Sequence, residues 1–188
     1  MKKILFVFIV FLFAFGENAN SQCVFKKIKK FTKFAVTDNC SVQVDISTQQ
    51  TVIYNRGHKQ VSISFVKSGD NYYLFLFQKR QFGKKFEIHK DNTLDIIFYD
   101  IPTIKLYPYC DYRGVAHFAL GSFYIITKEQ LEKFSKNIIE SVQVHFTSDK
   151  EISNSQQDEK GSLYIEYIMK SDRQSQVGSL LADCILSK

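Results

Sequence analysis

The chain of 188 residues contains 45% hydrophobic and 23% charged residues, a composition that is typical of a folded globular protein and excludes an intrinsically disordered one. Its 25 basic and 19 acidic side chains give a net charge of +6. Because no long basic run accompanies this modest excess, the charge argues against nucleic acid as a partner.

The first 21 residues have the three parts of a secretory signal peptide. Two lysines follow the initiating methionine, residues 4–15 are an unbroken apolar run, and Ala19 and Ser21 supply the small residues that signal peptidase requires. The apolar run is too short to span a bilayer core, which needs about 20 apolar residues. The sequence therefore predicts a signal peptide over 1–21, cleavage before Gln22, and export to the periplasm or the extracellular space without a transmembrane anchor in the mature chain.

Residues 22–188 are predicted to form a single β-rich globular domain. Their 167 residues are enough for one hydrophobic core and too few for two. This part carries 23 basic and 18 acidic side chains, a net charge of +5. A mild excess of this kind keeps an exported domain soluble and indicates no particular partner.

All four cysteines lie in the mature part, and export would bring them to an oxidising compartment. The candidates for two disulfides are Cys23, Cys40, Cys110 and Cys184, with three possible connectivities. Pairing Cys23 with Cys40 would close an N-terminal loop, and pairing Cys110 with Cys184 would tie a central loop to the C-terminal helix. The alternative is that some of them remain buried free thiols.

From about residue 42 the dominant hydrophobic period is two, which is typical of strands with one buried face. In chain order the predicted strands cover residues 42–46, 51–54, 61–65, 72–77, 86–89, 94–99, 103–107, 122–126, 142–146 and 163–169. Turn-forming clusters such as Ser68-Gly69-Asp70-Asn71 separate them at the spacing of an antiparallel meander. Residues 23–34 fit either a basic amphipathic helix or an N-terminal strand, and the β context favours the strand.

Two helices interrupt this pattern. Thr127 and Gln130 form a capping box that begins a short connector helix ending near Ser135. Ser171 begins a C-terminal amphipathic helix, in which Gly178 predicts a close approach to the sheet. The apolar stripe of that helix consists of Val177, Leu180, Leu181, Cys184 and Ile185.

These elements together predict an α+β fold that is mainly β. The expected architecture is an antiparallel β-sandwich or open barrel, with the short connector helix and with the C-terminal helix packed on the sheet. Residues 147–161 contain little apolar surface and are predicted to form an exposed loop between two strands.

Several runs of the sequence combine into a familiar order of strands and helices. These runs are YYLFLF at 72–77, FEIHKDNTLDIIFYD at 86–100, IKLY at 104–107, FYIITKEQLEKF at 123–134 and IIESVQVHF at 138–146. With the leader ending in NANSQ and the terminal helix ending in Cys184-Ile185, this order resembles small exported proteins of unknown function from Bacteroidetes-type bacteria. The resemblance implies a bacterial periplasmic or surface setting and carries no activity with it.

Motifs of catalysis and cofactor binding are absent from the sequence. It contains no G-x-S-x-G, H-E-x-x-H, P-loop or G-x-G-x-x-G pattern, so we predict no catalytic residues and no cofactor. The four histidines, His58, His89, His117 and His145, have no close ligand partner in sequence, which favours solvated surface histidines over a metal site.

The segment PYCDYRGVAH is the most promising binding surface, because it combines aromatic rings with hydrogen-bonding groups. The candidate binding residues are Tyr107, Tyr109, Asp111, Tyr112, Arg113 and His117. Cys110 and His117 could also form a nucleophilic pair, but an oxidising compartment favours a disulfide at Cys110.

The sequence therefore favours a non-enzymatic binding domain of the cell envelope, with a protein or a glycan as partner. One alternative is a carrier of a small ligand or lipid, which requires an open apolar cavity inside the sheet. Another is a hydrolase with a cleft built from non-adjacent residues. Its carboxylate pair would come from Glu87, Asp91, Asp95 and Asp100.

Overall fold

The computed structural model describes residues 23, 25–26, 40, 42–57, 59–79, 87–113, 119–148 and 155–188. The predicted signal peptide over 1–21 lies outside these residues, as do most of segment 23–34, His58 and His117. Within the described residues, no helix is long and apolar enough to cross a membrane.

The described residues form short and long strands and two helices. The strands are β1 (Phe25–Lys26), β2 (Ile46–Thr48), β3 (Thr51–Arg56), β4 (Lys59–Ser68), β5 (Asn71–Lys79), β6 (Glu87–Ile88), β7 (Leu94–Phe98), β8 (Ile104–Pro108), β9 (Tyr112–Arg113), β10 (Ala119–Ile126), β11 (Ile139–Phe146), β12 (Gln156–Gln157) and β13 (Leu163–Ile168). The helices are α1 (Lys128–Lys136) and α2 (Asp172–Leu186).

Most strands join one large antiparallel sheet in the order β1-β2-β4-β5-β10-β8-β7-β11-β13-β12, with β3 paired to β4. Strands β6 and β9 form a separate two-stranded sheet. As far as the structure describes it, this sheet does not close on itself. Strands from its two halves nevertheless approach each other, because the Tyr54 ring of β3 packs edge-on against the Tyr167 ring of β13, with the ring centroids 5.1 Å apart. The prediction of a mainly antiparallel β fold with one mid-chain helix and one C-terminal helix is confirmed.

Strand β8 connects the two halves of the large sheet. Its residues 104–106 pair with β7, and its residues 107–108 pair with β10. The alternation of buried and exposed side chains along β8 puts Lys105 and Tyr107 on the outer face, with Ile104 and Leu106 in the core.

Helix α1 contributes a buried phenylalanine to the hydrophobic core. Its N-terminus has the predicted capping box, with Gln130 N 3.1 Å from Thr127 Oγ1 and Thr127 N 2.9 Å from Gln130 Oε1. The buried Phe134 ring then packs edge-on against Phe65 and Phe98, with ring centroids 5.3 and 5.2 Å apart. One short helix thereby links strands from both halves of the sheet.

Helix α2 packs against β11 through Gly178, as the sequence predicted. A Cβ at position 178 would overlap Ile139 Cδ1 and lie 3.2 Å from Ile139 Cγ1, so any larger residue there would force the buried Ile139 side chain to move. The expected apolar stripe is confirmed at the buried residues Val177, Cys184 and Ile185. Leu180 differs from that expectation, because 44% of its surface is exposed.

Two disulfides join distant parts of the chain, Cys23 to Cys184 and Cys40 to Cys110. The first ties Cys23 to α2, and the second ties Cys40 to the segment after β8. The pairs Cys23 with Cys40 and Cys110 with Cys184 do not form. All four cysteines are oxidised, so the alternative of free thiols is also wrong.

The first predicted strand is displaced. Residues 42–44 are not in a strand and β2 begins at Ile46, although Val42 and Val44 still pack partly buried against the core. Alternation along a segment therefore correctly indicated which side chains are buried there, but not which residues pair with a neighbouring strand.

Candidate functional site

A row of apolar side chains crosses three adjacent strands on the outer face of the sheet. Tyr107 of β8 lies directly opposite Ile125 of β10, and Ile125 lies directly opposite Tyr73 of β5. Residues paired in this way project from the same face of a sheet, with their side chains in reach of one another. Tyr107 and Ile125 are 56% and 50% exposed, whereas Tyr73 is buried at the inner end of the row.

Tyr109 completes this surface, which we call the tyrosine face and define as Tyr73, Tyr107, Tyr109 and Ile125. The Tyr109 ring packs edge-on against the Tyr73 ring at 5.5 Å, and Tyr109 N donates to the Phe123 carbonyl at 2.8 Å. Burial, together with the neighbouring Tyr109, raises the pKa of the Tyr73 hydroxyl above its usual value. Tyr109 is thus fixed by both its ring and its backbone.

Tyr112 was predicted as a surface residue, but the structure buries it completely. Its hydroxyl accepts from Phe123 N at 2.9 Å and donates to the Phe123 carbonyl at 3.2 Å. Burial raises the pKa of Tyr112 well above the usual value for a phenol, so the hydroxyl remains a donor at any physiological pH. Tyr112 anchors the segment after β8 to β10 and is not available to a partner.

Of the remaining predicted binding residues, Asp111 and the backbone of Arg113 lie at the small sheet. Asp111 is exposed, and its Oδ1 accepts from Lys90 N at 2.9 Å. The backbone of Arg113 pairs with Glu87, while its side chain and all of His117 lie outside the described part of the chain. The structure therefore unites Tyr107 and Tyr109 on one surface and places Asp111 apart from it, against Lys90.

A second cluster, which the sequence did not indicate, surrounds His145. This residue was interpreted as solvated, but it is 6% exposed. Its Nε2 lies 3.6 Å from Asp95 Oδ2, the same oxygen that Lys105 Nζ contacts at 3.0 Å. Burial alone would raise the pKa of Asp95, but the interactions with His145, Thr93 and Lys105 lower it to about 2.

The other edge of the His145 ring faces the turn between β12 and β13. Ser162 Oγ lies 3.3 Å from His145 Nδ1, and Asp158 Oδ2 lies 3.8 Å from the same nitrogen. The Tyr164 ring stacks on the imidazole at 5.3 Å. Part of the predicted exposed loop 147–161 is thus packed on the sheet. We call His145, Asp95, Lys105, Asp158 and Ser162 the histidine cluster.

The histidine cluster places a serine, an imidazole and a carboxylate in one line, an order also found in hydrolases. In those enzymes the carboxylate orients Nδ1 and the serine bonds Nε2, and the imidazole must also reach the leaving group of the substrate. Here Asp95 faces Nε2, Ser162 faces Nδ1, and only 7% of the His145 side chain is exposed. The imidazole in this conformation is not accessible to a substrate.

Three other chemical candidates, Cys110, Asp95 and Glu87, have structural partners. Cys110 is bonded to Cys40, which removes the thiol that the proposed pair with His117 would need. Asp95 contacts Lys105, and Glu87 Oε2 lies 3.2 Å from His89 Nε2. Among the residues that the structure describes, no group of three or more histidine, cysteine, aspartate or glutamate side chains is arranged to hold a metal ion.

One depression of about 310 Å³ lies between the turn after β7 and helix α1. It is lined by residues 101–105, Gln130 and Lys133. Its lining combines Ile101, Pro102 and Ile104 with two lysines, and it lies at the surface beside α1, so it is not the cavity inside the sheet that the carrier alternative requires.

No protein-family model matches this chain, and neither a curated protein nor a solved structure does.

Proposed function

We propose that the protein is an exported, non-enzymatic binding domain of the cell envelope that binds a protein partner through the tyrosine face. The observation that carries this proposal is the pair of Tyr107 and Ile125, which lie side by side on rigid strands and are each at least half exposed. When a partner removes such apolar side chains from water, the burial stabilises the complex by about 25 cal/mol per Å² of apolar surface.

The tyrosine face has the properties of a preorganised contact surface. Tyr109 is held by Tyr73 and by the backbone of Phe123, so little side-chain freedom remains to be lost on binding. Tyrosine rings supply large contact areas together with a hydroxyl that can form a hydrogen bond at the rim. These features favour recognition over a purely structural role for the exposed rings.

A protein partner fits this surface better than a glycan. Ile125 contributes an aliphatic side chain to the middle of this face. An apolar side chain of a protein partner can cover it, whereas a sugar hydroxyl can form no hydrogen bond to it. Lys105, a cation on the same face of β8 as Tyr107, is already engaged by Asp95 at 3.0 Å. The chain has no tryptophan, the side chain best suited to stacking on a sugar ring.

Two disulfides are consistent with an exported protein, and the leader sequence is the basis for proposing the periplasm or the extracellular space. The carrier alternative lacks a described apolar cavity to support it. The hydrolase alternative has the serine–histidine–aspartate order of the histidine cluster in its favour, and the inaccessible imidazole against it.

The proposal is tested by affinity capture from the envelope of the organism that makes the protein. The mature domain, a Tyr107→Ser/Ile125→Ser variant and a Tyr99→Ser/Ile168→Ser variant are immobilised, and retained proteins are identified by mass spectrometry. The second variant is a matched control, because Tyr99 and Ile168 are as exposed as Tyr107 and Ile125, at 58% and 54%, but do not belong to the tyrosine face.

We expect the wild type and the control to retain the same protein. The Tyr107→Ser/Ile125→Ser variant should retain at least about tenfold less of it, because the loss of two buried anchors should weaken binding by about 1.4 kcal/mol or more, which corresponds to a tenfold change in affinity. Equal retention by all three would contradict the proposal. Protease-resistant retention of a glycan that depends on Tyr107 would establish the glycan alternative instead.

A further inference from the structure

The depression of about 310 Å³ beside α1 adjoins the tyrosine face. One of its lining residues, Lys105, lies two positions before Tyr107 on the same face of β8, and alternate residues of a strand are about 7 Å apart. On the neighbouring strand, Ile125 is followed two residues later by Thr127, the N-cap of α1. The depression therefore opens where the chain of β10 leaves the sheet, next to the paired Tyr107 and Ile125.

The polar side chains that line the depression can all donate hydrogen bonds. Lys105 and Lys133 contribute ammonium groups, and Thr103 contributes a hydroxyl. Gln130 Oε1 already accepts from Thr127 N at 2.9 Å, so the amide N–H groups of Gln130 remain for a ligand. The lining residues within the described chain include no aspartate or glutamate. This set of donors favours a ligand that carries an acceptor with negative charge.

Lys133 carries a positive charge that no described carboxylate balances. The charge of Lys105 is shared with Asp95, since Lys105 Nζ lies 3.0 Å from Asp95 Oδ2. Lys133 is exposed, and none of the ion pairs among the described residues includes it. The charge available to a ligand of the depression is therefore that of Lys133.

The depression also has an apolar wall, formed by Ile101, Pro102 and Ile104. A purely apolar side chain in this place would cover the two lysines without giving them a partner, and a basic one would be repelled by them. A glutamate side chain fits both parts of the lining, because its methylene groups can contact the apolar wall while its carboxylate accepts from the donors. An aspartate has the same charge on a shorter stem.

We propose that the depression receives an acidic side chain of the protein that binds the tyrosine face. The apolar contacts at Tyr107 and Ile125 supply most of the affinity. The carboxylate, held by Lys133 and the amide of Gln130, fixes the orientation of the partner and disfavours proteins that lack an acid at this point. The inference rests on the proposed function and adds the chemistry of the partner, an apolar patch bordered by a glutamate or an aspartate.

Charge reversal at Lys133 tests this inference in the same capture experiment. Lys133→Glu and Lys136→Glu change the net charge equally and lie in the last turn of the same helix, but only position 133 lines the depression. We expect Lys133→Glu to retain at least about tenfold less of the protein captured through Tyr107 and Ile125, because a carboxylate would then face a carboxylate. The Lys136→Glu variant should retain as much as the wild type.

Carbodiimide cross-linking of the captured wild-type complex identifies the acid directly. The reagent activates a carboxylate, the amine of a contacting lysine attacks it to form an amide, and the reagent leaves as a urea. We expect mass spectrometry to find a peptide in which Lys133 is joined to a glutamate or an aspartate of the partner. Cross-links from Lys136 without any from Lys133 would contradict the inference.

The outcomes distinguish this inference from the proposed function. If capture depends on Tyr107 and Ile125 while Lys133→Glu retains as much protein as the wild type, the acidic anchor is refuted and the tyrosine face is retained. Equal losses in Lys133→Glu and Lys136→Glu would indicate long-range attraction only and would also refute the anchor. If no protein is captured through Tyr107 and Ile125, the proposed function fails and this inference fails with it.

Discussion

The hydroxyl of Tyr112 bonds both backbone groups of Phe123, accepting from its N–H at 2.9 Å and donating to its carbonyl at 3.2 Å. Tyr109 N donates to the same carbonyl. The backbone of Phe123 therefore anchors the segment that carries the tyrosine face, at a position of β10 just before residues 124–125 pair with β8. The position of Tyr109 depends on this anchor.

Tyr112→Phe removes that hydroxyl while keeping the buried ring. We expect the free energy of unfolding to fall by about 2 kcal/mol, because two hydrogen bonds between buried groups are lost. Chemical denaturation measures the change. Tyr107→Phe is the control and should change stability little, since Tyr107 is exposed. Equal stability of Tyr112→Phe and the wild type would show that the hydroxyl does not anchor the segment.

Gly178→Ala tests the close packing of α2 on β11. Alanine favours a helix over glycine by about 1 kcal/mol, but its methyl group would overlap the Ile139 side chain. We expect the overlap to dominate and the free energy of unfolding to fall by about 1 to 3 kcal/mol. In the background of Ile139→Ala, which vacates the space, the same substitution should be stabilising. Identical effects in the two backgrounds would contradict this packing.

Asp95→Asn tests the charge of the histidine cluster through the pH dependence of stability. The pKa of Asp95 is lowered from 3.8 to about 2 in the folded protein, so its contribution is present above about pH 4 and is lost as the pH falls toward 2. We expect the variant to be less stable than the wild type by about 2 kcal/mol at pH 7, with a difference that shrinks in acid. Asp100→Asn, at an exposed position, serves as the control. A difference that is constant with pH would contradict the lowered pKa.

The disulfide connectivity is tested by digestion of the unreduced protein. Mass spectrometry should find peptides that join Cys23 to Cys184 and Cys40 to Cys110. The bonds span 161 and 70 residues, so replacing either pair with alanine should lower the free energy of unfolding by about 4 to 5 kcal/mol in the chain-entropy description. A peptide that joins Cys23 to Cys40 would refute this connectivity.

Local patterns in the sequence predicted much of the fold. Alternation located most long strands, the capping box located α1, and Gly178 predicted the close approach of α2. These features are local, because the spacing of neighbouring side chains determines them. The disulfide pairs were not predictable, since the approach of Cys23 to Cys184 depends on the path of the whole chain.

The candidate site was predicted only in part. Aromatic composition indicated Tyr107 and Tyr109, but Ile125 belongs to the same face only through the register of β10 against β8. The alternation of side chains along β11 predicted that His145 lies on the outer face of the sheet, and this prediction is correct. It is nevertheless buried, because the turn at Asp158 folds back over it, and no local pattern encodes that contact.

Site-specific photocrosslinking in living cells tests the proposed binding face most directly. A photoreactive benzophenone amino acid is introduced at position 107 and, in a matched strain, at position 99, which is equally exposed. The proposal predicts that irradiation joins the protein to one defined protein partner from position 107 and not from position 99. The absence of any adduct at position 107, or the same adduct from both positions, would contradict it.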